Sequence, residues 1–387
     1  MKKVTMYVWN NFVNDARVLR EASALADLDY AVTIIAKKEL SEMHLSSSEK
    51  IREGVFVNRP LKLELPERAA GKLKFTILTK HIPNMLLMFK MIMLGRKYET
   101  DIYHAHDLNT LIQGIVSAKL RFNRKKLIYD SHEVQTSRTH YSFEKIYKIE
   151  KLLLKFVDEV IVENDTRADY HHDLYKKRPT PIHNYSELYN INEVKPFPLR
   201  EKYDISKQTK IVLYQGGMQE GRGLFKLLDA FKNINDGKLI MLGDGKERQN
   251  LIDYHSKLEL EDKVIFIDRV PYKELRSYTK SADIGIQFLE NTNFNHYSAS
   301  SNKLFEYLMA HVPVIGSDLP EIKKVIEEEE VGLIVEESNT LQLQQAIQEL
   351  IDNTDKRNYF KQNTQQAKAK YNWENEKQIL NNIYSEI

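Results

Sequence analysis

The chain has 387 residues, 42% of them hydrophobic and 29% charged, which is enough to build two globular domains of ordinary size. It contains no cysteine, and this excludes a disulfide framework, a thiolate metal site and a cysteine nucleophile. The formal net charge of +2 gives no overall reason to expect nucleic-acid binding.

Short apolar runs that alternate with helical patterns fill the first half of the chain. The first run, VTMYVW at residues 4–9, is interpreted as a strand rather than a signal peptide, because Asn and Asp follow it. Further strand-like runs lie at residues 31–36, 101–106, 126–132, 159–164 and 180–185. Apolar strands that alternate with helices are typical of βαβ units in a parallel sheet.

The same pattern restarts after a polar segment that contains proline, residues 186–208. Its strand-like runs lie at residues 210–216, 238–244, 263–269, 284–289, 313–318 and 332–337. The fold class is therefore predicted to be α/β, with two doubly wound, Rossmann-like domains at residues 1–190 and 191–370. Residues 371–387 are predicted to form a last helix, with the N-terminal domain as a candidate docking partner. Ligands bind at the C-terminal ends of such strands, so we expect the site in the interdomain cleft.

Residues 71–97 are rich in Lys and Arg, contain no Asp or Glu, and interleave these cations with large apolar side chains. One interpretation is an amphipathic helix on an anionic membrane surface. The other, slightly favoured, is a buried helix whose lysines extend to solvent, because Met and Leu surround residues 85–93 on all sides.

The first strand of the second half runs into a glycine-rich loop, YQGGMQEGRGLFKLL. Gly216 and Gly217 end the strand, and Arg222 and Gly223 open the next helix. Glycines let a phosphate approach the backbone, and a helix N-terminus offers free N–H groups. The alternative is an ordinary strand–turn–helix junction. We favour phosphate binding, because an arginine in a first helical turn is unfavourable without an anion.

Two other strand ends are weaker candidates. Turn chemistry alone accounts for Gly243 and Asp244 in LGDG, although a nucleoside lying over this loop is a second interpretation. Backbone groups at Arg269 and Val270 are candidates for contact with a base edge, and an ordinary connection explains them equally well.

The segment SASSNKLFEYLMAHVPVIGSDLPE, residues 298–321, predicts a helix that starts near Ser301. Asn302, Lys303 and Glu306 share one face of it, and Ser300 or Ser301 is the expected N-cap. A lysine at this end opposes the helix dipole. One interpretation is a solvated Lys303–Glu306 pair. The other is a bound diphosphate facing Lys303, with Glu306 accepting hydrogen bonds from ribose hydroxyls.

Histidines and acids follow two strands of the first half: His104, His106 and Asp107 in one cluster, and Asp130, His132 and Glu133 in the other. Such clusters suggest metal binding or acid–base chemistry. We expect no metal, because the two clusters need not face each other. One histidine is instead expected to touch substrate, and the alternatives are a buried His104 and a surface Asp107.

Taken together, these segments resemble the family 4 glycosyltransferases, which are retaining enzymes with the GT-B fold. The resemblance runs nearly end to end, from a D-x-R-V-x-x-E-A pattern at residues 15–22 through HAHDL, YDSHE and the G-x(5)-RG loop. Its most specific part is NKLFEY followed by PVIGSDLPE.

The resemblance implies roles for particular residues. Arg222 falls where the family has a basic residue that contacts the donor diphosphate. Glu306 falls on the second glutamate of an E-x7-E motif that binds the donor ribose, and His132 falls on a histidine near the donor sugar. Ser298 stands where the family has the first glutamate, and backbone N–H groups of residues 299–302 are candidates to replace it. The wider donor-site set is Gly216, Gly217, Gly223, Gly243, Asp244, Arg269, Val270, Ser301, Asn302 and Lys303. The set for sugar or acceptor is Asn11, His106, Asp107, His132, Ser298, Ala299 and Ser300.

The implied activity is retaining transfer of a sugar from a nucleotide diphosphate sugar, UDP favoured over GDP, to a glycan or lipid-linked acceptor of a bacterial envelope or capsular polymer. No cofactor or metal is expected. The protein is expected in the cytoplasm or at the inner face of the membrane, touching anionic lipid, and self-association is left open. The alternatives are a sugar-nucleotide epimerase of the same fold, which the cleft acids Asp107, Asp130 and Glu133 keep open, and a non-catalytic partner subunit.

Overall fold

In the computed structural model, the described residues are 1–13, 15–63, 73–138 and 141–387. They form two compact units. The first contains Met1–Ile182 together with Lys377–Ile387, and the second contains His183–Glu376. The first division therefore falls a few residues before the expected boundary at 190. Among the described residues, no helix has the length and apolar character needed to cross a membrane.

The described part of the first unit contains a sheet of eight strands in the order β3-β4-β2-β1-β5-β6-β7-β8. These strands are β1 (Lys3–Tyr7), β2 (Ala31–Ile35), β3 (Ser48–Arg52), β4 (Val55–Asn58), β5 (Ile102–His106), β6 (Lys126–Ser131), β7 (Glu159–Val162) and β8 (Thr180–Pro181). Its helices are α1 (Ala16–Asp27), α2 (Leu73–Lys97), α3 (Leu108–Lys119), α4 (Phe143–Leu153) and α5 (Asp165–Tyr175). All strand pairs are parallel except β3 with β4.

The second unit contains a sheet of six parallel strands in the order β11-β10-β9-β12-β13-β14. These strands are β9 (Lys210–Gln215), β10 (Gly237–Leu242), β11 (Val264–Ile267), β12 (Ile284–Gln287), β13 (Val314–Ser317) and β14 (Gly332–Val335). The remaining helices are α6 (Leu199–Lys202), α7 (Leu224–Phe231), α8 (Arg248–Lys257), α9 (Tyr272–Lys280), α10 (Phe294–Tyr297), α11 (Asn302–Met309), α12 (Pro320–Glu328), α13 (Thr340–Asp352), α14 (Thr354–Lys370) and α15 (Trp373–Glu386).

Each apolar run predicted as a strand contains one, which confirms the predicted α/β class. The sequence did not predict β3 and β4. Their pattern is weak, because β3 is largely exposed and only alternate residues of β4, Val55 and Val57, are buried. An antiparallel edge pair needs only one buried face, so it produces no continuous apolar run.

The last helix contributes its C-terminal part to the first unit. The Tyr384 hydroxyl lies 2.8 Å from His104 Nδ1, and the Tyr30 hydroxyl donates to the Tyr384 carbonyl at 3.3 Å. Lys377 forms an ion pair with Asp27 at 2.8 Å. Residues 377–387 are therefore held by side chains of the first unit.

The order of the second sheet fixes where a ligand site is expected. Starting from β9, the chain builds outward through β10 and β11, and then returns to the other side of β9 with β12. Ligands of doubly wound sheets bind beyond the carboxyl ends of the strands at this reversal. The loop that follows Gln215 at the end of β9 is therefore the expected ligand site.

Candidate active site

The glycine-rich loop after β9 lies in backbone contact with the loop after β10. Gly216 N donates to the carbonyl of Leu242 at 3.0 Å, and Met218 N donates to that of Asp244 at 2.9 Å. Gly243 has φ +150°, and a Cβ atom added there would lie 1.9 Å from the Gly216 carbonyl oxygen. The structure thus brings four predicted donor-site residues, Gly216, Gly217, Gly243 and Asp244, to one edge of the second sheet.

Arg222 lies just before α7 rather than in its first turn. The N-cap position belongs to Gly223, which has φ +64°. A Cβ atom at Gly223 would lie 2.2 Å from the ring of Phe288. The expected first-turn position of Arg222 is therefore wrong, because a left-handed residue that packs closely on Phe288 separates the arginine from the helix. The half-buried guanidinium still lies near Tyr214 and Lys303. Burial raises the pKa of Tyr214 to about 12 against the opposing effect of the Arg222 charge, and that charge adds to burial in lowering the pKa of Lys303.

Lys303 is the most unusual residue of this edge, because its side chain is only 5% exposed. Its Nζ atom lies 4.0 Å from the centroid of the Tyr214 ring and has no hydrogen-bond partner among the described residues. Burial and then the Arg222 charge hold the pKa of Lys303 well below its ordinary value, while Glu306 opposes that shift. The solvated surface pair is therefore the wrong interpretation of Lys303, because α11 turns this side chain inward.

Glu306 belongs to a chain of hydrogen bonds that leads into the interior of the second unit. Its Oε2 atom accepts from Gln215 Nε2 at 2.5 Å, and Gln215 Oε1 accepts from the Thr279 hydroxyl at 2.8 Å. Thr279 and Glu306 also line a small cavity with Tyr189 and Arg276. The Arg276 guanidinium lies 4.4 Å from the centroid of the Tyr189 ring. The sequence did not single out Gln215, although its position as the last residue of β9 was a usable signal.

The serine hydroxyls before α11 do not cap that helix as the sequence suggested. Ser301 is the N-cap residue of α11, but its side chain makes no capping hydrogen bond. The Ser298 hydroxyl is fully buried and donates to the Phe294 carbonyl at 2.7 Å. Ser300 is also buried, Ala299 is half-buried, and Asn302 is exposed. The hydroxyl of Ser298 is thus engaged at the end of α10.

Arg269 and Val270 lie beyond β11, the edge strand on the far side of β10. Arg269 is exposed, and Val270 packs against the core of the second unit. Arg269 therefore has an ordinary surface environment. Nothing in the surroundings of these two residues indicates contact with a nucleotide base.

In the first unit, the two predicted histidine–acid clusters do face each other. Strands β5 and β6 pair in parallel with His106 opposite Asp130, so the residues at both strand ends meet. Arg17 contacts both oxygens of Asp130, at 2.9 and 3.0 Å, and lies 3.1 Å from Glu21. The rings of His104 and His106 stack at 4.2 Å. Parallel pairing in register, which the sequence did not specify, produces this meeting.

The cluster offers four side chains of types that a metal accepts, two carboxyl groups and two imidazoles, since atoms of Glu21, His104, His106 and Asp130 lie within 4.8 Å of one another. The guanidinium of Arg17 lies against both carboxylates and supplies the countercharge that a cation would otherwise provide. Burial lowers the pKa values of His104 and His106. Burial, together with the Asp130 carboxylate, raises the pKa of Glu21 to about 8.

His132 carries a positive charge in this cluster. Burial favours its neutral form, but the Asp130 carboxylate, 3.0 Å from His132 Nε2, raises the pKa to about 10. Burial raises the pKa of Asp130, but the charges of Arg17 and then His132 outweigh burial and hold this pKa well below the ordinary value. The His132 side chain is 20% exposed. An imidazolium that reaches the surface of the first unit can donate a hydrogen bond to an oxygen of a ligand.

Asp107 and Asn11 are tied to the protein around them. Asp107 Oδ1 accepts hydrogen bonds from the His132 N–H and from Gln135 Nε2, each at 3.1 Å. The Asp107 carboxylate thus fixes the loop that carries His132, which corrects the interpretation of Asp107 as a surface acid. Asn11 Nδ2 donates to Glu42 at 2.6 Å, and its carbonyl accepts from Arg59 at 2.8 Å.

Residues 197–367, most of the second unit, match the family described as glycosyl transferases group 1. An uncharacterized glycosyltransferase of Methanocaldococcus jannaschii is 24% identical over 251 residues, which cover 59% of this chain and 58% of the relative. That share is less than two thirds of the relative's length. The putative teichuronic acid biosynthesis glycosyltransferase TuaH of Bacillus subtilis is 24% identical over 317 residues, covering 73% of this chain and 76% of TuaH.

The crystal structure of Anabaena HepE in complex with UDP-glucose is similar over 100% of both chains, with a TM-score of 0.76 and 16% identity. The whole chain thus has the GT-B fold, built here from two parallel-sheet units. Residues 197–367 of its second unit carry a glycosyl transferases group 1 domain, and the predicted resemblance to the GT-B glycosyltransferases is confirmed.

Proposed function

We propose that this protein is a retaining glycosyltransferase that moves a sugar from a nucleotide diphosphate sugar to a hydroxyl group. The observation that carries the proposal is the buried Lys303 ammonium group beside Arg222. A buried cation without a hydrogen-bond partner is costly in free energy, and an anionic ligand removes that cost. A diphosphate supplies the anion and is the leaving group of such a transfer.

The donor is proposed to lie along the carboxyl edge of the second sheet. Lys303 and Arg222 would bind the diphosphate, and the contacting loops at Gly216 and Gly243 would let it approach the backbone. Glu306, held by Gln215, would accept hydrogen bonds from the ribose hydroxyls. The carboxylate is acceptor-only, so it suits a vicinal diol.

The proposed mechanism is electrostatic. As the anomeric C–O bond breaks, negative charge grows on the leaving diphosphate, and the two fixed cations stabilise that charge. The acceptor hydroxyl would attack from the face that the leaving group departs, giving its proton to the diphosphate, and this retains the anomeric configuration. We propose that the reaction is metal-independent, because Lys303 and Arg222 provide the charge stabilisation. His132 and Asp107 are proposed to act on the sugar or acceptor side.

A UDP-sugar is the proposed donor, and HepE, solved with UDP-glucose, supports this choice over a GDP-sugar. A glycan or lipid-linked hydroxyl of a bacterial envelope polymer is the proposed acceptor, as TuaH is described as a teichuronic acid biosynthesis glycosyltransferase. The proposed location is the cytoplasm, at the inner face of the membrane.

The test is to incubate the protein with UDP- and GDP-sugars, with and without a membrane extract, and to follow free nucleoside diphosphate. Release that depends on the extract supports a transferase. An isomerised sugar nucleotide would instead indicate an epimerase, and no binding or release would indicate a non-catalytic subunit. Proton NMR of the product must show the anomeric configuration of the donor, since inversion overturns the retaining mechanism.

The matched variants are Arg222→Ala and Arg178→Ala. Arg178 forms surface ion pairs with Asp165 and Asp169 and lies in the first unit, so its loss should leave transfer unchanged. Loss of Arg222 should lower the turnover rate by about 100-fold or more, the range typical for one electrostatic contact to a developing charge. Near-normal turnover by Arg222→Ala would rule out the diphosphate assignment.

A further inference from the structure

Three helices cover one face of the first sheet and form a single layer. Leu87 and Met91 of α2 and Leu111 and Ile115 of α3 belong to one buried core, and Leu153 of α4 packs against it. Arg96 of α2 also donates hydrogen bonds to two main-chain carbonyls at the end of α3, both at 2.5 Å. The inner sides of α2, α3 and α4 are therefore occupied by the sheet and by each other.

The outer side of the same layer is apolar as well. On α2, Met85 and Phe89 are 62% and 61% exposed, and Met93 lies one turn further on the same side. Leu152 of α4 is 56% exposed. Among the described side chains, 12 of the 26 exposed large apolar ones belong to residues 81–97, 108–126 and 143–156. Single exposed apolar residues are ordinary, whereas a concentration of this kind marks a surface that meets another apolar phase.

The spacing on α2 explains why the sequence did not separate its two interpretations. Residues 82, 85, 86, 89 and 93 lie on one side of a helix with 3.6 residues per turn, and the buried Leu87 and Met91 lie on the opposite side. The slightly favoured interpretation, a buried helix, is right for the inner side only. Residues 71 and 72 of the basic segment, and the side chains of residues 73–80, lie outside the part of the chain that the structure describes.

The charge on the outer side of α2, α3 and α4 indicates which kind of partner this surface can bind. Residues 81–97, 108–126 and 143–156 together contain 12 Lys or Arg and two Glu, in a chain that has 57 basic and 55 acidic residues overall. One of those two, Glu150, is buried and accepts hydrogen bonds from Tyr129 and Tyr175, so it does not offset charge at the surface. Lys119, Lys125 and Lys148 have acidic partners, namely Asp158, Asp101 and Glu144. The face keeps other exposed cations, which include Lys97, Lys145, Lys151 and Lys155.

We propose that this basic, apolar face of α2, α3 and α4, called here the helical face, is a docking surface for an anionic lipid bilayer. Apolar side chains enter the boundary between headgroups and acyl chains, while Lys and Arg contact the anionic headgroups. A second copy of this chain fits less well, because a two-fold interface would bring the same basic patch against itself. The proposal stands on this surface and does not depend on the transferase activity.

The test uses the full chain and sedimentation with lipid vesicles. The protein should pellet with vesicles of phosphatidylcholine mixed with phosphatidylglycerol, should stay in solution with phosphatidylcholine alone, and should be released by high salt. A wild-type chain that stays in the supernatant with the anionic vesicles overturns the proposal.

Two paired variants test which surface binds. Phe89→Gln with Leu152→Gln removes apolar contacts, and Lys145→Glu with Lys155→Glu reverses two exposed charges. Each pair should lower the partition coefficient at least tenfold, since one basic residue near an anionic surface is worth about fivefold. All four side chains are exposed, so the melting temperature should not change.

Leu341→Gln and Lys361→Glu are matched controls on exposed positions of α13 and α14 in the second unit, and they should bind vesicles like the wild type. Equal binding by the helical-face variants and the wild type overturns the assignment of the surface. Sedimentation equilibrium without lipid tests the competing occupant: a dimer that dissociates in the Phe89→Gln, Leu152→Gln variant would mean that this face is an interface between copies.

Discussion

Replacing Lys303 by methionine should make the ligand-free protein more stable and, at the same time, a poorer binder of nucleoside diphosphate. The Lys303 side chain is 5% exposed, and its ammonium group has no hydrogen-bond partner within the described chain. A buried polar group left in that state costs about 1–3 kcal/mol, more if it is charged. Methionine has a similar length and no such cost, so the free energy of unfolding should rise by about this amount.

Binding should change in the opposite direction. A hydrogen bond to a charged group contributes about 1.5–3 kcal/mol, which corresponds to roughly 10- to 100-fold in affinity. Titration calorimetry with UDP should therefore give a dissociation constant for Lys303→Met that is at least ten times higher than that of the wild type. Urea denaturation of the same sample measures the gain in stability. Lys361→Met, at an exposed position of α14, is the control and should alter neither quantity.

The pH dependence gives an independent check on the sign. The pKa of Lys303 in the folded protein lies well below its ordinary value of 10.5. At a pH between these two pKa values, Lys303 is protonated in the unfolded chain and neutral in the folded one. The stability of the wild type relative to Lys303→Met should then increase as the pH rises towards 10.5. A variant that is less stable than the wild type by more than about 1 kcal/mol and binds UDP normally would refute a Lys303 anion site.

Gln215→Leu should raise the KM for the donor by about tenfold and change kcat less, because Glu306 loses the amide that orients it; unchanged steady-state kinetics would exclude a positioning role. Arg17→Met should lower the free energy of unfolding by about 3–5 kcal/mol in urea denaturation, because it removes the first of the two cations, Arg17 and His132, that neutralise the buried Asp130, and a smaller loss than for a surface arginine would contradict this. Glu21→Gln should flatten the pH dependence of stability. Since burial raises the folded pKa of Glu21 to about 8, the wild type should lose stability relative to the variant between pH 4.5 and 8, and parallel pH profiles would count against a protonated Glu21.

The candidate site was predictable in its location and only partly in its chemistry. Glycines and polar residues at strand ends indicated the loops at Gly216 and Gly243, because strand ends are where doubly wound folds bind ligands. Gln215 was missed: its position at the end of β9 was a usable signal, but nothing in the neighbouring sequence indicates which side chains its amide meets. Its relevance comes from α9 and α11, which bring Thr279 and Glu306 to its amide.

The sequence by itself determined the alternation of strands and helices, and with it the two parallel-sheet units, because the pattern of buried residues along a strand or helix is a local property. Tertiary structure alone decided which distant residues meet. It paired β5 with β6 in register, so that His106 lies opposite Asp130, and it brought Arg17 of α1 to Asp130 across 113 residues of chain. It also turned Lys303 inward and left the outer side of α2 exposed. Helical periodicity identifies the faces of a helix, whereas the packing of neighbouring elements decides which face is buried.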